Sequence, residues 1–348
     1  CRHLIDPLFQ IDINRRDFIL PPIWPNSLER GTFRRLREVP REDIAAAAQQ
    51  VLENRMAAYV EEAVACSRLS KVVLAGGVFA NVRVNQELAQ LKSVEDLFVH
   101  PAMTDAGLAL GAALGFQSQR YGCRSHAMTN AHLGPEFSND RILAALRRHG
   151  AVYRPPGDRA ETVADLLVQG AAVAVFDGRM EYGPRALGNR SIICSPDDPG
   201  IQQRLNRRLR RSEFMPFAPA VQAEHAPRCF HGLHKGLDCA RFMTIAYDCT
   251  PWFKTHCAGV VHVDGTARPQ LVHADQTPRF YRILEAYRRR TGVPCVLNTS
   301  FNMHEEPIVC TPADALRAFL AGGLDWLAMG DYLVEHPGRK PGVEAADG

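Results

Sequence analysis

The sequence predicts a mixed α/β protein built in two parts, and three observations carry that expectation. At 348 residues the chain holds about two domains' worth of length on the ~150-residue scale. Twice, at 71–91 and at 97–115, a short apolar run stops at a glycine-containing turn and passes into a helical pattern. A polar stretch at 116–140 (FQSQRYGCRSHAMTNAHLGPEFSND) then separates these units from a second series of strand and helix patterns. The boundary is therefore placed there, with 1–125 in front, 126–340 behind and a tail at 341–348. A composition of 46% hydrophobic and 23% charged residues, with a mean hydropathy of −0.18, suits a chain that buries sizeable cores.

Composition also excludes several classes. No apolar run approaches the ~18 residues of a membrane span, and residues 1–20 lack the charged-then-apolar layout of a signal peptide. The ten cysteines form no CxxC pair and keep no regular pitch, which speaks against a disulfide framework or a zinc ribbon and for reduced thiols in the cytoplasm. Net charge is only +3, yet the cations are 36 Arg against 5 Lys. Genomic base composition or selection for bidentate oxyanion recognition would each produce that bias.

The elements follow in order. Residues 21–41 are rich in Pro and Arg without periodicity and read as an irregular loop, followed by a helix from Glu42 to about Ala65. KVVLA (71–75) reads as a strand stopped by Gly76 and Gly77, with a helix over 81–91. LFVHPA (97–102) reads as a strand, MTDAG as a turn and LALGAALG (108–115) as a helix. Behind the boundary, helices are expected at 140–149, 161–169, 280–290 and 312–321, and strands at 171–176, 242–247, 259–263 and 294–298.

Six segments carry chemistry. The strand–Gly76–Gly77–helix arrangement lets backbone N–H groups and a helix N-terminus receive an anion or nucleotide, although a tight turn without a ligand has the same signature. Asp105 stands in the next such turn, where it would bind a metal or, more commonly, cap a helix. In RMEYGPRALGNRS (179–191), Arg179, Arg185 and Arg190 stand with Asn189 and Ser191 among turn formers. Three guanidiniums on one constrained loop are most simply rationalised by an anion between them, the alternative being a solvated loop with Glu181 pairing one arginine. The run RLNRRLRR (204–211) keeps Ile201, Leu205 and Leu209 on one stripe and reads first as a solvated helix face, then as phosphate steering. HVDGTARPQ (262–270), with Arg268, and LNTSFN (297–302), with Asn298, Thr299, Ser300 and Asn302, end predicted strands. The second suits a nucleotide or carbamoyl amide, or else a set of Asx and hydroxyl turns. The Cys229, His231, His234, Cys239 cluster has no standard zinc spacing, and no GxSxG, Walker A or HExxH element is present.

In this order, LAGGVFANVRVNQEL, HPAMTDAGLALGAAL, GRMEYGPRALGNRSI, RSEFMPFAPAV, HVDGTARPQ and LNTSFNMHEEPIVCTPADALRAF resemble the O-carbamoyltransferases of nodulation-factor and antibiotic (tobramycin, cephamycin) biosynthesis. The resemblance implies a front domain of actin-like ATPase fold, similar to the tRNA-threonylcarbamoyl transferases, and a rear domain similar to the threonylcarbamoyl-adenylate synthases. It implies that the rear domain makes carbamoyl-adenylate from carbamoyl phosphate and ATP with Mg²⁺, and that the front domain passes the carbamoyl group to a hydroxyl of a small-molecule acceptor. On this sequence it places Gly76, Gly77 and Asn81 at the adenylate and Asp105 as a ligand of Fe²⁺. The family's iron also takes two upstream histidines, and His3 is the only histidine before Gly76. The front half of that domain is therefore expected to lie outside this sequence, as the start at Cys1 without a Met also suggests, and carbamoyl transfer by this chain alone is not expected. Two other readings are a nucleotide- or RNA-associated module related to tRNA threonylcarbamoylation and a non-catalytic remnant. A nucleic-acid partner is disfavoured, because no aromatic interleaving accompanies the basic run.

Overall fold

The computed structural model describes residues 10–12, 17–19, 37–122, 127–211 and 216–338. Most of the 21–41 loop, the 341–348 tail and the centre of RSEFMPFAPAV lie outside the described residues.

After a short antiparallel pair, β1 (Gln10–Asp12) and β2 (Asp17–Ile19), the front segment opens with α1 (Arg41–Ser67), close to the expected bounds. Strands β3 (Lys71–Leu74) and β4 (Asp96–Val99) pair in parallel, linked by α2 (Val82–Gln90). Helix α3 (Leu108–Tyr121) runs further than the sequence pattern indicated. It stops at Gly122, whose φ of +67° gives the left-handed turn that ends helices, so the polar connection starts at 122 and not at 116.

The rear part is an eight-stranded mixed sheet, ordered β11-β8-β12-β7-β6-β13-β14-β5. Its centre is formed by β6 (Val173–Phe176), β7 (Arg190–Cys194), β8 (Ala218–Gln222), β12 (Cys295–Ser300) and β13 (Trp326–Met329). β5 (Tyr153–Arg154) and β14 (Tyr332–Glu335) close one edge, and β11 (Gln270–Val272) closes the other. Strand alternation decides which residue faces which layer. Val173, Val175, Ile193, Ala220 and Val296 meet α5 (Arg159–Val168) and α10 (Pro278–Thr291) on one face. Ala174, Phe176, Ile192, Cys194 and Leu297 meet the opposite layer, with α4 (Asn139–Arg148), α6 (Ile201–Arg208) and α11 (Pro312–Ala321). Between α6 and α10 in the chain, besides β8 and β11, the described residues form short pieces: α7 (Ala226–Cys229), α8 (Leu237–Ala240), α9 (Pro251–His256), and the pair β9 (Tyr247–Asp248) and β10 (Thr266–Ala267).

Two expected strands are not strands. Most of 242–247 is irregular, because its backbone is claimed by the front segment: buried Asn85 donates to the Thr244 carbonyl at 2.7 Å, and Ala246 N–H donates to Val82 O at 3.3 Å. The 259–263 run begins in a 3₁₀ turn (Ala258–Val260), with Gly259 N–H on Pro196 O at 2.8 Å. The 242–247 run is apolar because it is buried, not because it pairs in a sheet; in the second run Gly259 and Val260 are buried and Val263 is fully exposed. Conversely, Arg190 and Ser191, at the end of the expected 179–191 loop, open the fully buried β7. The two parts keep separate sheets, yet one hydrophobic core continues from Met56, Leu88 and Val99 into Phe230, Ile245 and Phe253. No helix of the described residues is long and apolar enough to cross a membrane, and no disulfide joins the described cysteines.

Candidate active site

A loop between β6 and β7 shapes the site, and Glu181 shapes the loop. Its buried carboxylate accepts from the backbone N–H groups of Leu187 (2.8 Å), Asn189 (2.8 Å) and Arg190 (3.0 Å), folding 181–190 around one oxygen. Gly188, at φ +109°, packs so closely on the Phe280 ring that a side chain there would collide. Ser191 Oγ accepts from Gly188 N–H at 2.9 Å, and Asn189 Nδ2 donates to Arg179 O at 2.7 Å.

The three guanidiniums of this loop do not surround one anion. Arg190 is completely buried, donates to Asp177 O at 2.6 Å and lies 3.8 Å over the Phe176 ring. Arg179 donates to the carbonyls of Leu133 (2.8 Å) and Gly134 (3.1 Å). Both are consumed by backbone carbonyls, and Glu181 pairs with N–H groups where the sequence suggested an arginine partner.

Arg185 goes elsewhere, into a cavity of about 480 Å³ that it lines with Arg211, Arg268, Asn298, Thr299, Ser300 and Asn302. β12 delivers Asn298 from its buried centre and Thr299 and Ser300 from its end, while Arg268 follows β10. Arg211 Nη1 donates to Thr299 Oγ1 at 3.2 Å, and its Nη2 lies 3.4 Å from Ser300 Oγ. Asn298 Nδ2 donates to Gln270 Oε1 at 2.8 Å and Ala186 O at 3.2 Å. Ser300 Oγ donates to Asn302 Oδ1 at 2.6 Å. Left over are three buried atoms without partners: Arg185 Nε, Arg268 Nε and Asn298 Oδ1. Among the described residues no carboxylate pairs with Arg185, Arg211 or Arg268. Burial draws all three guanidiniums below their ordinary range, and for Arg268 burial together with the like charge of Arg185 brings the value down to about 9.

A second cavity, of about 390 Å³ near Pro155–Ala160, supplies the contrast. Its Arg159, Arg279 and Arg282 reach Asp177 (2.9 Å), Asp331 (2.6 Å) and Asp158 (3.1 Å). Those guanidiniums are paired with carboxylates; Arg185, Arg211 and Arg268 are not, although Glu305 and Glu306 also line the first cavity, Glu306 in a pair with Arg317, and guanidiniums left without a carboxylate are suited to an anion. Arg211 was passed over in the sequence because it stands in a run whose other members are ordinary surface groups, such as Arg204 paired with Asp198 and Arg208 with Asp325. Only the chain reversal after Leu209, with Arg210 at φ +56°, turns Arg211 inward.

In the front segment the two glycine turns meet. Gly76, at φ +130°, donates its N–H to Met103 O at 2.6 Å, which joins the Gly76–Gly77 turn to the 103–107 turn at the carboxyl edge of β3 and β4. A Cβ on Gly77 would meet nothing within 4 Å. Asn81 caps α2 through Val84 N–H (3.1 Å) and exchanges hydrogen bonds with Gln49, so its side chain is occupied within the fold. Asp105 is exposed in a 3₁₀ turn. The described residues hold no group of three or more His, Cys, Asp or Glu able to bind a metal, so among them Asp105 has no companion ligands. His262 and Asp264 close a turn: Asp264 accepts from Thr266 N–H (3.0 Å) and Oγ1 (2.7 Å), and His262 Nδ1 lies 3.2 Å from Thr266 Oγ1.

Fold and cavity together define a mixed α/β protein whose main described cavity gathers Arg185, Arg211 and Arg268. Family models described as carbamoyltransferase N-terminus and carbamoyltransferase C-terminus match residues 29–114 and 164–336. The chain belongs to the carbamoyltransferase family, an enzyme family. It is 34% identical over 303 residues to an uncharacterized protein of Methanocaldococcus jannaschii, a match covering 84% of this chain and 49% of that protein. It is 35% identical over 305 residues to nodulation protein NolNO of Sinorhizobium fredii, covering 86% and 45%. It is 29% identical over 261 residues to 3'-hydroxymethylcephem-O-carbamoyltransferase of Streptomyces clavuligerus, covering 75% and 47%. The chain thus spans about half the length of the curated relatives it matches.

Proposed function

We propose that residues 126–340 form carbamoyl-adenylate in the Arg185–Arg211–Arg268 cavity. The front residues then belong to the unit that delivers the carbamoyl group to a hydroxyl of a small molecule. The observation that carries this reading is the set of three desolvated guanidiniums without carboxylate partners. Beside them Asn298 holds an unpartnered Oδ1, an acceptor suited to the N–H of a carbamoyl amide. The related cephem O-carbamoyltransferase is named for that transfer, and the same reading assigns the two parts to the actin-like and threonylcarbamoyl-adenylate synthase-like folds.

The proposed reaction balances in two steps. Water cleaves carbamoyl phosphate to carbamate and phosphate; a carbamate oxygen then attacks the α-phosphorus of ATP, and pyrophosphate leaves with the electron pair of the broken P–O bond. ATP brings Mg²⁺ with it. Negative charge gathers at the phosphorus as the new bond forms, and preorganised guanidiniums in a dry cavity offset it without solvent rearrangement. Arg211, steadied by Thr299 and Ser300, and Arg268 hold the oxyanions, and Arg185 lines the same cavity. Burial also shields an acyl-adenylate, which water would hydrolyse. Arg179, Arg190, Asn189 and Ser191 support the loop in this scheme and do not touch substrate.

Titration calorimetry with carbamoyl phosphate tests the assignment. Arg185→Ala should weaken binding by at least ~1.5 kcal/mol, the worth of one charge-assisted hydrogen bond. Unchanged affinity in both Arg185→Ala and Arg268→Ala would sink it.

A further inference from the structure

The loop that brings Arg185 to the cavity rests, on its outer side, against the front segment. Tyr182 meets His100 edge-on, with ring centroids 5.8 Å apart and planes at 80°. Its hydroxyl donates to Ala106 O at 3.4 Å. The next residue, Gly183, has φ +104°, and a Cβ there would lie 2.8 Å from the Pro101 carbonyl oxygen. His100 is itself held, its Nδ1 accepting from Ala102 N–H at 3.2 Å. Glu181 therefore fixes the base of the loop from within, and the 100–106 turn fixes its shoulder from outside. Between shoulder and guanidinium stands only Pro184, whose ring removes most of the remaining backbone freedom.

We propose that the His100–Tyr182 contact, with Gly183 seated on Pro101, positions Arg185, so that the affinity of the rear cavity for its anion depends on a turn of the front segment. The choice of ligand rests on the function proposed above; the mechanical coupling does not. One consequence reverses a simple expectation. Residues 126–340 carry every cavity arginine, and within them Tyr182 N–H is held by Ala131 O at 2.6 Å, yet by themselves they lack the His100–Pro101 face against which the Arg185 loop rests. The turn that supports the loop also carries Asp105 and is tied to Gly76, so the proposed adenylate-forming cavity and the front-segment turns share one mechanical element.

The test uses the full chain and two readouts: calorimetric affinity for carbamoyl phosphate, and hydrogen exchange of the Leu187, Asn189 and Arg190 amides, which needs no ligand. His100→Ala and Tyr182→Ala should each raise Kd about tenfold and speed exchange, and the double variant should be no worse than either single one, as expected for groups acting through one contact. Tyr182→Phe keeps the ring against His100 and should stay within about twofold of the native protein, because the 3.4 Å surface hydrogen bond contributes little. Additive effects in the double variant, or native affinity and exchange in His100→Ala, would overturn the proposal. Faster exchange in His100→Ala, in a protein whose carbamoyl phosphate affinity is indifferent to Arg185→Ala, would uphold the positioning and refute the ligand assignment instead.

Discussion

Replacing Arg268 with methionine should stabilise the ligand-free protein while removing its affinity for anions. The Arg268 guanidinium finds no carboxylate among the described residues, shares its cavity with Arg185, and is brought down to about 9 by burial and by that like charge. A displacement from 12.5 to about 9 corresponds to roughly 5 kcal/mol against the folded state, at ~1.4 kcal/mol per pH unit. Relaxation and water entry reduce it, and replacing buried ionic groups by apolar side chains of similar volume typically recovers ~1–4 kcal/mol. We expect a gain of about 2 kcal/mol at neutral pH, read as a higher urea midpoint in phosphate-free buffer. The sign with pH follows from the lowered folded-state value. Below pH about 9 both states are protonated and the penalty is complete; above it the folded guanidinium loses its proton first and the penalty fades, so the advantage of the variant shrinks as pH rises. Inorganic phosphate should raise the midpoint of the native protein and leave that of Arg268→Met unmoved. A variant that is less stable than the native protein at pH 7 would show that Arg268 is a satisfied structural cation, and the account of the cavity would fall with it.

Three further outcomes follow from the same geometry. Arg190→Met should cost at least ~3 kcal/mol in denaturant unfolding, because it strips several backbone carbonyls of their buried donor; a loss under ~1 kcal/mol would return Arg190 to the list of substrate-binding candidates. Asp105→Ala should leave stability within ~0.5 kcal/mol, since the residue is exposed and caps nothing, and the chain should retain no iron on gel filtration either before or after the change. Asp314, whose carboxylate is held below the usual range by the Thr311 backbone N–H, forms a capping box on α11. Asp314→Asn should cost ~1 kcal/mol at pH 7, and the difference from the native protein should vanish as pH falls below the carboxylate range, where Asp314 itself takes up a proton.

The sequence by itself determined the local skeleton and the chemistry on offer. Apolar periodicity and stop signals located α1, α2, β3 and β4 to within a few residues, because each is specified by its own spacing and by a neighbour such as Gly76 or the N-cap Asn81. The segments around Arg185, Arg268 and Asn298 stand out in the sequence as arginines and amides beside turn residues, and the structure brings these three side chains to one cavity. What it could not decide is which cation faces which partner. Arg179, Arg185 and Arg190 share one loop and look alike in sequence, yet the Glu181 carboxylate curls the backbone so that two of them end on carbonyls and one reaches the cavity. Arg211 became a site residue through a single left-handed residue at Arg210, and the apolar run 242–247 lost its strand to hydrogen bonds from residues more than 150 positions earlier. Those outcomes depend on hydrogen bonds and burial between segments far apart in the chain. Such contacts leave no periodicity behind, so only the tertiary structure could assign them.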